Sequence, residues 1–304
     1  MRVPYRWNTP YSGPLALEPL AVDIPPIKDF SMRIRAGFRI GYECKQETPM
    51  LLVLNLHPSR RGDLLGEQTI SFDRPIRAWD YMDGFGNACS RIVAPQGVTM
   101  ISTEFQIYDD GQPDPVPVDV VQHDINDLPD HVLVYLLGSR YCDTDRLADF
   151  AWETFAHTRP GWDRVKSILD YTHDRIAFDY SKADPTRTAF GGWHDRTGVC
   201  RDFAHLAITL CRCMNVPARY CTGYLGDIGV PADPNPMDFS AWFEVFLSGR
   251  WYTVDARHNA PRIGRILMAT GRDATDVAMS TAFGPAKLVH FEVTTTEIDT
   301  ALAI

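Results

Sequence analysis

A chain of 304 residues, 45 % of them hydrophobic, can bury at least one sizeable core, and its length fits two domains of ordinary size. Its formal net charge of -9, with no long basic tract to neutralise a phosphate backbone, excludes nucleic acid as an expected partner. Seven cysteines, an odd number scattered along the chain, do not form the disulfide frame of a small secreted domain, and no stretch reaches the ~18 uninterrupted apolar residues of a membrane span.

The first thirty residues are broken by prolines and polar side chains, so no apolar signal-peptide core is expected there. With the unpaired cysteines this implies a reducing, cytoplasmic setting and no membrane partner. From about Met32 to Tyr108 short alternating runs follow, among them Met32 to Arg35, Phe38 to Tyr42, Leu51 to Leu54 and Val98 to Ile101. Period-2 runs punctuated by Asp-Gly and Gly-Asn steps predict an antiparallel β-domain. Prolines at 113, 115 and 117 then mark a linker.

Beyond the linker the period becomes helical. Leu147, Phe150, Ala151 and Phe155 form one stripe, after a Cys142 to Asp145 start whose short polar side chains suit a helix cap. Trp162, Val165, Ile168, Leu169, Thr172 and Ile176 form a second, and Phe203 to Met214 carry a third, beginning near Cys200 and stopped by Pro217. After Pro217 the chain turns extended over residues 218–224, 241–247 and 250–255. Helices followed by strands, rather than strict alternation, predict an α+β domain with an antiparallel sheet.

Gly198-Val199-Cys200-Arg201-Asp202 places a cysteine in the first turn of the third helix. Free N–H groups and the positive end of the helix dipole favour a thiolate there, which predicts a lowered thiol pKa. The same pattern also fits a half-buried cysteine opening an ordinary helix. If Ser248-Gly249 is a two-residue turn, Leu247 faces Arg250, Trp242 faces Asp255 and position 240 faces Arg257. Positions 240, 242, 253, 255 and 257 then share one face of the ribbon, with 240 and 255 diagonal neighbours about 7–8 Å apart. That is the geometry of a base and its orienting acid, yet Ser240 carries a hydroxyl that does not accept a proton from a thiol near neutral pH.

Four ordered blocks carry a resemblance: Gly198 to His205, Asn215 to Tyr220, Phe239 to Val245 and Trp251 to Arg257. Together they resemble the core of bacterial transglutaminase-like proteins. Asp83 to Asn87 is similar to part of the N-terminal β-domain often fused to that core, and Leu137 to Cys142 to the entry of its catalytic half. The resemblance implies a Cys-His-Asp triad in which the cysteine attacks a peptide or amide carbonyl and water or an amine resolves the thioester. It assigns the nucleophile to Cys200 and the orienting acid to Asp255, and it puts Ser240 where the histidine is expected, either by engineering or by natural variation. No cofactor is implied, because the thioester route needs neither metal nor nucleotide.

Other histidines fit the missing role poorly. His258 has the wrong strand parity and is expected on the opposite face of the ribbon. His205 lies about 140° round the helix from Cys200 and is expected to pack in the core. His194 precedes the nucleophile in a loop, and His290 belongs to the C-terminal strand region. Cys211, Cys213 and Cys221 are read as core thiols rather than metal ligands, since Cys-x-Cys side chains diverge along a helix. Arg201-Asp202 is expected to pair at the helix start. Trp193, Trp242 and Arg257 are candidate substrate-binding residues, each with a structural role as the alternative.

The sequence therefore reads as α+β, with an antiparallel β-domain over residues 1–117. A papain/transglutaminase-like domain over 118–304 is to have its nucleophile at a helix N-terminus packed on an antiparallel sheet. The expected function is a cysteine hydrolase or acyltransferase on a peptide or amide. The rival is a silent binding module that keeps the fold, and a homo-oligomer is left open.

Overall fold

The computed structural model describes residues 32–298. The first thirty residues, read above as lacking a signal-peptide core, lie outside them. In chain order the N-terminal region contains β1 (Met32–Cys44), β2 (Thr48–Leu52), β3 (Ser71–Phe72), β4 (Trp79–Met82), β5 (Ala88–Ala94) and β6 (Gly97–Asp109). Helices α1 (Asp130–Leu133), α2 (Thr144–Phe155) and α3 (Trp162–Arg175) follow, then β7 (Ala177–Phe178), α4 (Ala189–Asp195), β8 (Thr197–Gly198) and α5 (Cys200–Cys213). The last elements are β9 (Ala218–Leu225), β10 (Ser240–Leu247), β11 (Arg250–Val254), β12 (Arg265–Gly271), β13 (Ser280–Ala282) and β14 (Ala286–Ile298).

Three four-stranded antiparallel sheets result, ordered β14-β1-β6-β3, β13-β2-β5-β4 and β11-β10-β9-β12, and β7 and β8 form a small parallel pair. The mixed fold with antiparallel sheets agrees with the expectation from the sequence. Residues 280–298 depart from it, for they return to the N-terminal sheets: β14 pairs with β1 along its length and β13 pairs with β2. An unpaired β1 would leave a long row of open backbone groups, and β14 covers it.

The third helix stripe forms as expected and is the most buried of the helices. Every residue of α5 except Cys200 and Arg201 at its head is buried. Its core joins Ile168 of α3 and Phe155 of α2 to Phe243, Val245 and Tyr252 of the sheet. Asn215, at a left-handed φ of 58°, ends the helix before Pro217. At the Cys142 to Asp145 start, the residue preceding α2, Asp143, makes no side-chain cap to its own helix. Its carboxylate instead accepts from Thr188 Oγ1 at 2.8 Å and from the Phe190 N–H at 3.0 Å, so it secures the start of α4, which the sequence reading missed.

A second core lies between the N-terminal sheets and receives Tyr224, Ile266 and Met268 from β9 and β12. The two halves are also joined by Asn87, fully buried in the Asp83 to Asn87 turn. Its amide nitrogen donates to Asp83 Oδ2 and to the Thr270 carbonyl, both at 2.8 Å, while its amide oxygen accepts the Thr270 N–H at 2.8 Å. Asn87→Ala leaves the buried Thr270 backbone groups without these partners, and chemical denaturation is expected to show a loss of about 2–4 kcal/mol.

Candidate active site

The hairpin registers as the turn predicts. Ser248 and Gly249 both adopt positive φ, 45° and 80°, as a two-residue turn matched to strand twist requires, and Leu247 pairs with Arg250 and Phe243 with Val254. Beyond Val254 the ladder stops. Residues 256–258 form a turn, closed by the Asn259 N–H donating to the Asp255 carbonyl at 2.9 Å. The extrapolated pairs 242/255 and 240/257 are therefore not part of the ribbon.

The turn exists because Asp255 gathers its donors. Oδ1 accepts the backbone N–H groups of Arg257 at 2.9 Å and His258 at 3.0 Å; Oδ2 accepts from His258 Nδ1 and from Arg265 Nη2, both at 2.8 Å. This corrects the expectation for His258. Strand parity does not apply to it, since the chain has left the strand, and its ring meets Asp255 rather than facing away. Burial would raise the Asp255 pKa, but Arg265 and His258 together hold it well below the usual carboxylate range.

Arg265 also reaches the linker. Its Nε donates to Asp114 Oδ2 at 2.8 Å, and Asp114 further accepts the Arg262 N–H at 3.0 Å. The linker is thus bound to the strand that supports Asp255.

Cys200 is half-buried at the head of α5, which packs against β10, the strand that carries Ser240 and Ala241. The sequence predicts a lowered thiol pKa; the structure reverses it. Burial pushes the thiol up to about 11, while the Arg257 charge and the Ala241 N–H act in the opposite direction. Position at a helix head does not outweigh the loss of solvent around the sulfur. Asp202 completes the helix start by accepting the Val199 N–H at 2.9 Å, and it pairs with Arg187 at 3.2 Å more closely than with Arg201 at 3.7 Å. Gly198 is required by that contact, because a Cβ there would stand 2.5 Å from Asp202 Oδ2.

Ser240, Arg257 and His258 line one cavity of about 410 Å³, together with Tyr180, Arg262 and the irregular 226–239 segment. Arg257 stacks with its guanidinium 3.9 Å from the centre of the Phe178 ring, and it has no ion-pair partner among the described residues. The tryptophans are elsewhere. Trp193 donates to Tyr171 Oη at 2.8 Å and packs against Phe150 and Phe190, so its indole is committed to an aromatic cluster. Trp242 is buried, lies 5.0 Å from the Arg265 guanidinium and lines a separate cavity of about 280 Å³. Neither lines the cavity of Ser240.

The remaining candidates are structural. Cys211, Cys213 and Cys221 are buried, and Cys211 and Cys213 pack in the core around α5. His205 is enclosed between Tyr141 and Tyr220, and its Nε2 accepts the Ala274 N–H at 3.2 Å. His194 is exposed beside Asp195, and His290 sits on β14 near Glu292.

Residues 149–256 match the family model described as Transglutaminase-like superfamily. Among solved structures, a proposed cysteine protease from Cytophaga hutchinsonii is similar at 27 % identity and a TM-score of 0.75, over 90 % of this chain and 92 % of that one. An uncharacterized protein of Mycobacterium leprae (strain TN) is 31 % identical over 146 residues, which is 46 % of each chain. One from Mycobacterium tuberculosis (strain H37Rv) is 29 % identical over 147 residues, 44 % of this chain and 46 % of that one. The chain spans about half the length of the curated relatives it matches.

Burial pushes the His205 pKa down from its ordinary 6.5 to about 3. The unfolded chain then binds this proton more readily than the folded one, so the stability is complete above pH 6.5 and drains away as pH falls towards 3. Urea unfolding of the native chain is expected to lose on the order of 1–2 kcal/mol at pH 5 relative to pH 7 through this group. His205→Gln keeps an acceptor for Ala274 and should flatten that part of the profile.

Proposed function

We propose that the transglutaminase-like domain carried by residues 149–256 works as a cysteine hydrolase or acyltransferase on a peptide or amide, through a thioester at Cys200. The single observation that carries this reading is the placement of Cys200, half-buried as the first residue of α5, on a helix that packs against β10, the strand that begins with Ser240. Similarity to a proposed cysteine protease over nine-tenths of the chain supports it.

In this reading the sulfur adds to the substrate carbonyl, the amine leaves, and water or a second amine takes the acyl group. Backbone N–H groups at the head of α5 supply donors for the oxyanion, with the Cys200 N–H foremost. Arg257, without an ion-pair partner among the described residues, lines the cavity with Ser240, and a substrate carboxylate is its natural counter-charge. Ser240 replaces the imidazole of the triad. A cytoplasmic setting is part of the same proposal.

A thiol pushed up to about 11 also suits a module that holds a peptide or amide without turnover. The two readings separate on one substitution. With a panel of peptidyl p-nitroanilides and glutaminyl amides, the native chain is expected to release product and Cys200→Ala to lose at least about 10³-fold in rate. Binding of the panel with no release by either chain would favour the module.

A further inference from the structure

We propose that His258, oriented by Asp255, is the general base for Cys200, in the role that Ser240 leaves without an imidazole. This inference rests on the cysteine reading above and identifies the proton acceptor that reading lacks.

The geometry is that of a base and its orienter. His258 Nδ1 lies 2.8 Å from Asp255 Oδ2, and a carboxylate held ionised only accepts, so Nδ1 carries the proton and Nε2 is the free lone pair. Asp255 is itself fixed by Arg265 and two backbone N–H groups, so it holds the ring with little freedom. His258 is only partly exposed, its side chain retaining 24 % accessibility, and it lines the same cavity as Ser240 and Arg257. Its neighbour in sequence, Arg257, stacks 3.9 Å from the centre of the Phe178 ring, and Phe178 pairs with Gly198, two residues before Cys200, so the turn that carries His258 lies beside the head of α5.

The surrounding charges are consistent with such a pair. Arg257, Asp238 and Asp255 act on the thiol, and Tyr180 stands close enough to feel its charge. The imidazole has Asp255 and, through it, Arg265 on its inner side; Asp227, Asp233 and Arg262 line the cavity into which it opens. From α3, His173 Nδ1 lies 2.9 Å from the Arg257 carbonyl and Asp170 accepts from Asn259 at 2.7 Å, so both bear on the backbone of the turn.

The proton inventory closes without a further reagent. His258 Nε2 takes the proton of the Cys200 thiol while the sulfur pair adds to the carbonyl carbon and the carbonyl π pair moves onto oxygen. On collapse the C–N bond breaks and His258 returns its proton to the leaving amine. Water then gives a proton to His258 as its oxygen attacks the thioester, and the departing sulfur takes that proton back.

Iodoacetamide labelling of Cys200 across pH, followed by peptide mass analysis, tests the pair with no substrate. The native chain is expected to show a reactive limb in the imidazole range, well below the thiol's own value of about 11. His258→Asn keeps a donor for Asp255 and should remove that limb, lowering the pH 7 rate at least about 10-fold. Superimposable profiles for the two chains would overturn the proposal. Should His258→Asn not fold, the ring resonances of His258 in the native chain are compared by NMR before and after alkylation of Cys200. Displaced ring resonances support the pair, and unchanged ones overturn it. A chain that shows the limb and cleaves no amide rejects the cysteine hydrolase reading while keeping this pair. One that cleaves amides with an unchanged His258→Asn profile does the reverse.

Discussion

The carboxylate of Asp255 is buried with four hydrogen bonds to it, and much of the C-terminal half is arranged around that one ion. Its partner Arg265 opens β12 and binds Asp114 in the linker, so a single guanidinium ties the hairpin, the edge of the sheet and the connection from the N-terminal sheets. Removing one member of a buried pair strands the other charge away from water, which makes such a cluster stringent about its geometry. The turn at 256–258, and with it the placement of Arg257 and His258 on the cavity, follows from where this ion can be satisfied.

The second constraint is the burial of α5. A helix enclosed on nearly all sides fixes the position of its first residue, and Cys200 is thereby held where α5 packs against β10. The enclosure that positions the sulfur also keeps it protonated. In the proposed reaction positioning and activation are separate physical tasks, and a group other than the helix head performs the second.

Much of this was legible in the sequence, for reasons that differ by residue. The hairpin register followed from Ser248-Gly249, because a two-residue turn admits one pairing and its positive φ values suit Gly. The α5 stripe was legible because its apolar period is unbroken from Phe203 to Met214. The α4 helix was not: Ala189 to Asp195 has two glycines and depends on Asp143, far away in sequence, for its start. The position of His258 was missed because parity arguments assume that a strand continues, whereas Asp255 ends it by capturing two backbone N–H groups. That capture depends on Arg265, a long-range partner that no local pattern announces. Trp193 and Trp242 were candidates on residue type alone, and their indoles are committed to an aromatic cluster and to Arg265. The return of β14 to β1 is likewise a pairing between chain ends, set by an open sheet edge rather than by nearby residues.

The account depends on Cys200 as the acyl acceptor. Rapid acid quench of the native chain with p-nitrophenyl acetate, followed by peptide mass analysis, tests this most directly. The account predicts an acetyl adduct on the peptide carrying Cys200 that neutral hydroxylamine releases. An adduct confined to other residues, or none at Cys200 under conditions where p-nitrophenol is liberated, would contradict it.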